Sequence, residues 1–220
     1  MSTGAYTPPL GFAALTPFYD RAIGLFTREA HWRSKLSDAI DARSGEMILD
    51  VGSGTGSLGI MITSREPDVR YRGIDPDADA VRSARLKAKS VGSSATFDEG
   101  FLADGPPSDA HRVDKIISSL VFHQVPVSEK VRLLAAMFEW LKPGGSIFVA
   151  DYGEQRSIPM KLAFRLTVQL LDGVCDTQPN ADGILPRLMA EAGFIAVDRL
   201  DSIVTPSGSI DLISARKAAA

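Results

Sequence analysis

The chain has 220 residues, 45% hydrophobic and 23% charged, which is the ordinary make-up of a packed globular protein, and its length fits one domain with decorations. A formal net charge of −3 gives no general attraction to phosphate backbones or anionic lipid, so no nucleic-acid partner is expected. Cys175 is the only cysteine, which excludes an intramolecular disulfide and a thiolate metal cluster, and no apolar run approaches the ~20 residues that span a bilayer.

Residues 1–10 lack the basic start and apolar block of a signal peptide, so a cytoplasmic protein is expected. Residues 17–26 and 29–42 read as two helices. Met47 to Val51 is a short apolar run leading into glycines, the pattern of a buried strand. Residues 57–65 read as a helix stopped by Pro67, and 69–74 as a second strand. A helix over 76–89 has Pro76 in its first position and Asp75 before it. Residues 95–98 and 113–121 give a third and a fourth strand.

The helix over 128–141 places Val131, Leu134, Phe138 and Leu141 on one face, with Trp140 at the margin, and ends at Pro143-Gly144-Gly145. A fifth strand spans 146–151. The stretch 152–183 is too long for a simple connection, and its centre, 158–174, reads as one helix with Lys161, Arg165, Gln169 and Asp172 on a polar stripe. A helix over 185–192 is closed by Gly193. Strands over 195–203 and 209–215 flank Thr205-Pro206-Ser207-Gly208, a hairpin signal. The alternation predicts an α/β fold: a doubly wound, mostly parallel sheet of about seven strands with a C-terminal antiparallel hairpin at or near one edge.

The chemistry concentrates where the first strand turns, at Asp50-Val51-Gly52-Ser53-Gly54-Thr55-Gly56. Glycines at alternate positions let the backbone turn sharply and approach a ligand, and the next helix aims free N–H groups at it. A carboxylate at Asp50 suits a cationic ligand, one with an ammonium or sulfonium group, better than a pyrophosphate. The rival reading is a dinucleotide fingerprint, since Gly54, Gly56 and Gly59 fit G-x-G-x-x-G and Asp75 lies at about the right distance. Asp75 can accept two hydrogen bonds from a ribose diol or cap the following helix, and the two roles can coexist.

Residues 47–151 resemble the core of a class I S-adenosylmethionine-dependent methyltransferase. The likeness rests on Leu49-Asp50-Val51-Gly52-Ser53-Gly54-Thr55-Gly56, on Asp75, and on Leu141-Lys142-Pro143-Gly144-Gly145-Ser146-Ile147-Phe148-Val149. Met189-Ala190-Glu191-Ala192-Gly193-Phe194 before the closing hairpin also fits. More narrowly, the chain is similar to the small methyltransferases of the ubiquinone/menaquinone-biosynthesis type, through Phe18-Tyr19-Asp20 and Leu120-Val121-Phe122-His123.

The resemblance implies S-adenosylmethionine as cofactor and a small-molecule methyl acceptor. Gly52, Ser53, Gly54 and Gly56 would wrap the methionine part, with Asp50 near its amino group. Asp75 would hold the ribose and Pro76 would pack on adenine. Ser118 and Ser119 would line the methionine side, with Tyr19 closing over it. The sequence departs from the family at the adenine amino group, where Gly100-Phe101 replaces the usual Gly-Asp. Phe101 would offer its backbone and an aromatic wall, and Asp98 or Asp104 could substitute for the missing acid.

His123 is the candidate base should the acceptor have to lose a proton; a structural role is the other reading. His31 and His111 lie in the N-terminal extension and a loop. The chain is expected to be one domain over 1–220. It comprises a helical cap at 1–45, a cofactor core at 46–151, a cap insertion at 152–183 and a terminal helix and hairpin at 184–216. The two cap segments together would bind the acceptor, and surplus apolar surface leaves a homodimer open. Two other readings stand: a nicotinamide-dependent oxidoreductase, which lacks a Tyr-x-x-x-Lys pair here, and a non-catalytic cofactor-binding or dimerisation module.

Overall fold

The computed structural model describes residues 28–106, 108 and 112–219. The expected helix over 17–26, with Tyr19, lies outside the described residues, as does His111. Five strands run parallel: β1 (Met47–Val51), β2 (Arg70–Asp75), β3 (Thr96–Glu99), β4 (Val113–Ser119) and β5 (Leu141–Tyr152). β6 (Ile195–Thr205) and β7 (Gly208–Arg216) form the hairpin, with β7 antiparallel to β5. The strand order is β3-β2-β1-β4-β5-β7-β6, so the hairpin closes one edge as expected. Succession reverses between β1 and β4, and in such sheets ligands bind in the crevice that this reversal opens at the carboxyl ends.

Strands buried on both faces need apolar side chains pointing both ways, and Ile48, Leu49, Ile116 and Ile117 provide them. One face is covered by α1 (Glu29–Ile40), α2 (Ser57–Arg65) and α3 (Ala78–Val91), through Trp32, Leu36, Leu58, Ile62 and Ala84. α4 (Val127–Trp140) and α8 (Leu185–Glu191) cover the other, packing Leu134, Met137 and Leu188 over Leu49 and Ile147. Between β5 and α8 lie α5 (Ile158–Leu166), α6 (Val168–Asp172) and α7 (Val174–Ala181).

Five local expectations differ from the structure. α3 begins at Ala78 and is capped by Asp77, whose carboxylate accepts from the amides of Asp79 and Ala80; Asp75 is turned elsewhere. In α4 the buried face carries Leu133, Leu134, Met137 and Trp140, while Val131 is exposed and Leu141 already belongs to β5. Trp140 is buried because its indole N–H donates to the Ala103 carbonyl at 3.0 Å, which satisfies its one polar atom. Pro143-Gly144-Gly145 does not stop that helix; it forms part of β5, where the register with β4 shifts between Val113 and Lys115.

The single helix expected over 158–174 is broken at Thr167 and Gly173. Gly173 has φ +82°, open to glycine at little steric cost, and the chain turns there. The break interrupts the polar stripe: Lys161 and Arg165 stay exposed, but Gln169 is buried, Asp172 turns to His123, and Leu162, Leu166 and Leu170 are exposed.

Gly59 sits where α2 crosses β2, and a Cβ there would come within 2.6 Å of Cζ of Tyr71. Gly59→Ala therefore forces the helix or the ring to move and should cost about 1–3 kcal/mol. Urea unfolding followed by far-UV circular dichroism measures the loss; an unchanged midpoint would show that the contact relaxes freely.

Candidate functional site

The turn after β1 folds back over the end of β2. The amides of Gly52 and Ser53 donate to the Ile74 carbonyl at 2.9 and 3.1 Å. Gly54 N–H donates to Asp75 Oδ2 at 2.8 Å, and Asp75 Oδ1 accepts from the Asp77 amide at 2.9 Å. Asp75 thereby braces the glycine turn, and burial raises its pKa. Gly56 has φ +76°, and a Cβ there would meet Cζ of Phe97 at 2.6 Å and Cβ of Ala84 at 2.8 Å. At Gly54 a Cβ would meet nothing within 4 Å, so one side of the turn is open for a ligand to reach the backbone.

Asp50 lies beneath this turn, 1% exposed. The Tyr71 hydroxyl donates to its Oδ2, while Oδ1 is buried without a partner. Burial lifts its pKa to about 7, against the Tyr71 hydrogen bond and the positive charge of Arg33, which pull it down. Ser53 Oγ is likewise buried and unpartnered. Unsatisfied buried polar atoms are uncommon and costly, and an ammonium group beside the open backbone would satisfy the Asp50 oxygen.

The other sequence-expected residues divide. Pro76 is half-buried beside Asp75. Ser118 is fully buried and its hydroxyl donates to the Val51 carbonyl at 2.9 Å, so it holds β4 to β1. Ser119 ends β4 half-buried, and Leu120 follows with φ +56°, a strained conformation at the strand end. Gly100 donates its amide to the Asp75 carbonyl at 3.0 Å, which brings its loop to the site, but the Phe101 side chain is 65% exposed. Neither candidate acid near Phe101 is free: Asp98 pairs with Arg72 at 2.7 Å and Asp104 with Arg132 at 2.7 Å.

A second polar cluster lies where the chain leaves β4. His123 is buried, with Nδ1 2.8 Å from Asp151 Oδ1 and Nε2 3.6 Å from Asp172 Oδ2. Burial works against its charge, but the two carboxylates outweigh it and raise the pKa to about 9. Asp151 also accepts from the Phe122 amide at 2.6 Å and from Asn180 at 3.4 Å. Lys130, fully buried on α4, donates to the carbonyls of Phe122, Val125 and Asp176; burial lowers its pKa to about 8. The cluster ties the 3₁₀ turn Phe122–Gln124 and β5 to α6 and α7. Asp151, Lys130 and Tyr71 were not singled out from the sequence: a lone Asp, Lys or Tyr inside an apolar element carries no pattern until its partner, distant in the chain, is in place.

Residues 48–145 match the family described as Methyltransferase domain. The chain is 28% identical over 151 residues to the ubiquinone/menaquinone biosynthesis C-methyltransferase of Bdellovibrio bacteriovorus, covering 68% of this chain and 63% of that protein. It is 27% identical over 203 residues to the demethylmenaquinone methyltransferase of Thermus thermophilus, covering 90% of each. This chain thus spans less than two thirds of the Bdellovibrio protein and nearly all of the Thermus one. An O-methyltransferase family protein from Burkholderia thailandensis shares the fold, with TM-score 0.72 and 18% identity over 94% of this chain and 60% of that one.

His123 has a pKa raised above its ordinary value of 6.5, so its contribution to stability is complete below pH 6.5 and is lost as pH rises toward 9. Between pH 6.5 and 8 wild type should lose about 1.4 kcal/mol per pH unit more than His123→Gln. Paired urea titrations measure this; parallel profiles would show that the imidazole is not held charged by Asp151 and Asp172.

Proposed function

Because the chain belongs to the class I S-adenosylmethionine-dependent methyltransferases, we propose that it moves the sulfonium methyl group of that cofactor to a small-molecule acceptor. The observation that carries this reading is the unpartnered Asp50 oxygen beneath the open face of Gly54. An anion placed there favours an ammonium and repels a pyrophosphate, which weighs against the nicotinamide alternative.

In this reading Asp50 takes the cofactor's amino group, and Gly52, Ser53, Gly54 and Gly56 form the wall along its methionine part. Asp75 keeps acceptor capacity for the ribose hydroxyls beyond its two amide bonds, since a carboxylate has about four lone-pair sites. Pro76 packs on the adenine, while Gly100 and Phe101 supply backbone at its rim. Ser119 lines the methionine side and Ser118 acts by fixing β1 against β4.

The cofactor brings a methyl group already activated on sulfur, so the protein's contribution is position and the exclusion of water. His123 fits a structural part better than that of a base. Both ring nitrogens face carboxylates, and an imidazolium with a pKa near 9 has no free lone pair at neutral pH. The names of the Bdellovibrio and Thermus relatives favour a quinone-type ring as acceptor. In this reading the insertion at 152–183 shields the acceptor; its start at the carboxyl end of β5, on the edge that carries the glycine turn, supports this. We read 1–220 as one domain.

Binding of the ammonium needs Asp50 ionised, whereas in the free protein its pKa is raised to about 7. Affinity for S-adenosylhomocysteine should therefore be full above pH 7 and fall about tenfold per unit below it. Calorimetry should find that dependence flattened in Asp50→Asn and no binding of NAD by wild type. A wild-type affinity independent of pH would remove Asp50 from the site, and binding of NAD would favour the oxidoreductase.

The acceptor is tested with methyl-labelled cofactor and a panel of reduced quinones, phenols and amines, with products read by mass spectrometry. Label should enter the quinone class; transfer to amines alone would overturn the ring assignment.

A further inference from the structure

The amino-acid end of the cofactor carries a carboxylate as well as an ammonium, and the residues that meet the ammonium leave the carboxylate without a partner. α1 is fixed at both ends. Arg28 donates to the Val204 carbonyl at 3.2 Å, at the carboxyl edge of the sheet. Lys115, at the start of β4, donates to the Asp41 carbonyl at 2.8 Å, at the opposite edge. Alongside it α2 runs in the same direction, from the glycine turn down to Arg65, which donates to Ser37, Asp38 and Ser34.

Arg33 stands one turn above Ser37 on the same side of α1. Side chains on a helix lean toward its N-terminus, and the N-terminal end of α1 lies at the carboxyl edge of the sheet, the edge that carries the glycine turn. Its guanidinium pairs with Glu29 and lies over the Trp32 ring at 5.2 Å, but Nε is buried with no partner. Its charge is felt by both members of the buried Asp50–Tyr71 pair. A cation on α1 and an anion at the end of β1, each with an unpartnered buried atom, thus lie near enough for one charge to act on the other, and an α-amino acid carries the complement of both.

We propose that Arg33 binds the carboxylate of the cofactor's amino-acid end while Asp50 binds its ammonium, so that the zwitterion is gripped from α1 and β1 together. This rests on the cofactor reading above. Arg33 is a positioning residue in that scheme: it sets where along the crevice the sulfur lies, at a distance from the methyl group itself. Arginine suits the place because its planar fork can release one edge to Glu29 and still present other N–H donors.

Calorimetry with three ligands tests the proposal: S-adenosylhomocysteine, its decarboxylated analogue, which keeps the ammonium, and 5′-methylthioadenosine, which lacks both charges. Wild type should prefer S-adenosylhomocysteine to the decarboxylated analogue by about 10–100-fold, the size of a hydrogen bond to a charged group. In Arg33→Gln that preference should collapse, with S-adenosylhomocysteine weakened and 5′-methylthioadenosine unchanged; Arg33→Lys should restore part of it.

Equal wild-type affinity for the first two ligands would overturn the proposal, and needs no variant to fold. Equal weakening of all three ligands by Arg33→Gln would overturn it as well, by marking Arg33 as a structural support. Binding of 5′-methylthioadenosine without that preference leaves the cofactor reading standing, whereas failure of wild type to bind any of the three would remove both.

Discussion

The hydrogen bond from the Gly54 amide to Asp75 joins the end of β1 to the end of β2, and the site is built around it. A carboxylate accepting backbone N–H groups is a strong, charge-assisted partner. It holds the glycine turn in a conformation that leaves its outer face open. The same Asp75 accepts from Asp77, which caps α3, and its carbonyl receives the Gly100 amide. One residue therefore sets the turn, the entry to a helix and the loop after β3. Packing beneath it is equally constrained, because Gly56 and Gly59 clear the way for Phe97 and Tyr71.

The charges around the crevice follow from burial. Asp50 has lost water and gained only the Tyr71 hydroxyl, so it holds its proton unusually strongly and has an oxygen left over. His123 has lost water too, yet it lies between two carboxylates and is held charged. Coulombic attraction in a low-dielectric setting exceeds the desolvation cost in one case and falls short in the other. Asp50 thus keeps one buried oxygen without a partner, while both ring nitrogens of His123 face carboxylates.

That satisfied cluster explains how an insertion of three short helices stays attached to the sheet. Most of its apolar side chains, among them Ile158, Leu162 and Leu170, are exposed, so α5 to α7 bury little hydrophobic area for their length. They are anchored by Asp172 on His123, by the Asp176 carbonyl on Lys130, and by Asn180 on Asp151 and the Tyr152 carbonyl. These contacts converge on the 3₁₀ turn that follows the strained Leu120, beside the carboxyl end of β4.

Every strand from β1 to β7 and the closing hairpin were legible in the sequence, because short apolar runs punctuated by glycine and proline record strand and turn directly. So were the glycine turn, Asp50 and Asp75, which lie close in sequence to the strand ends that carry them. Other features depended on partners far along the chain: which residue caps α3, which face of α4 is buried, and where the insertion helix breaks. The buried face of α4 was misread because apolar residues occupy more than one stripe, and only contact with the sheet and α8 selects among them. The state of His123 and the standing of Arg33 belong to tertiary structure for the same reason. A side chain's charge and availability are set by what faces it, and Asp151, Asp172 and the glycine turn are brought to these residues only when the chain has folded.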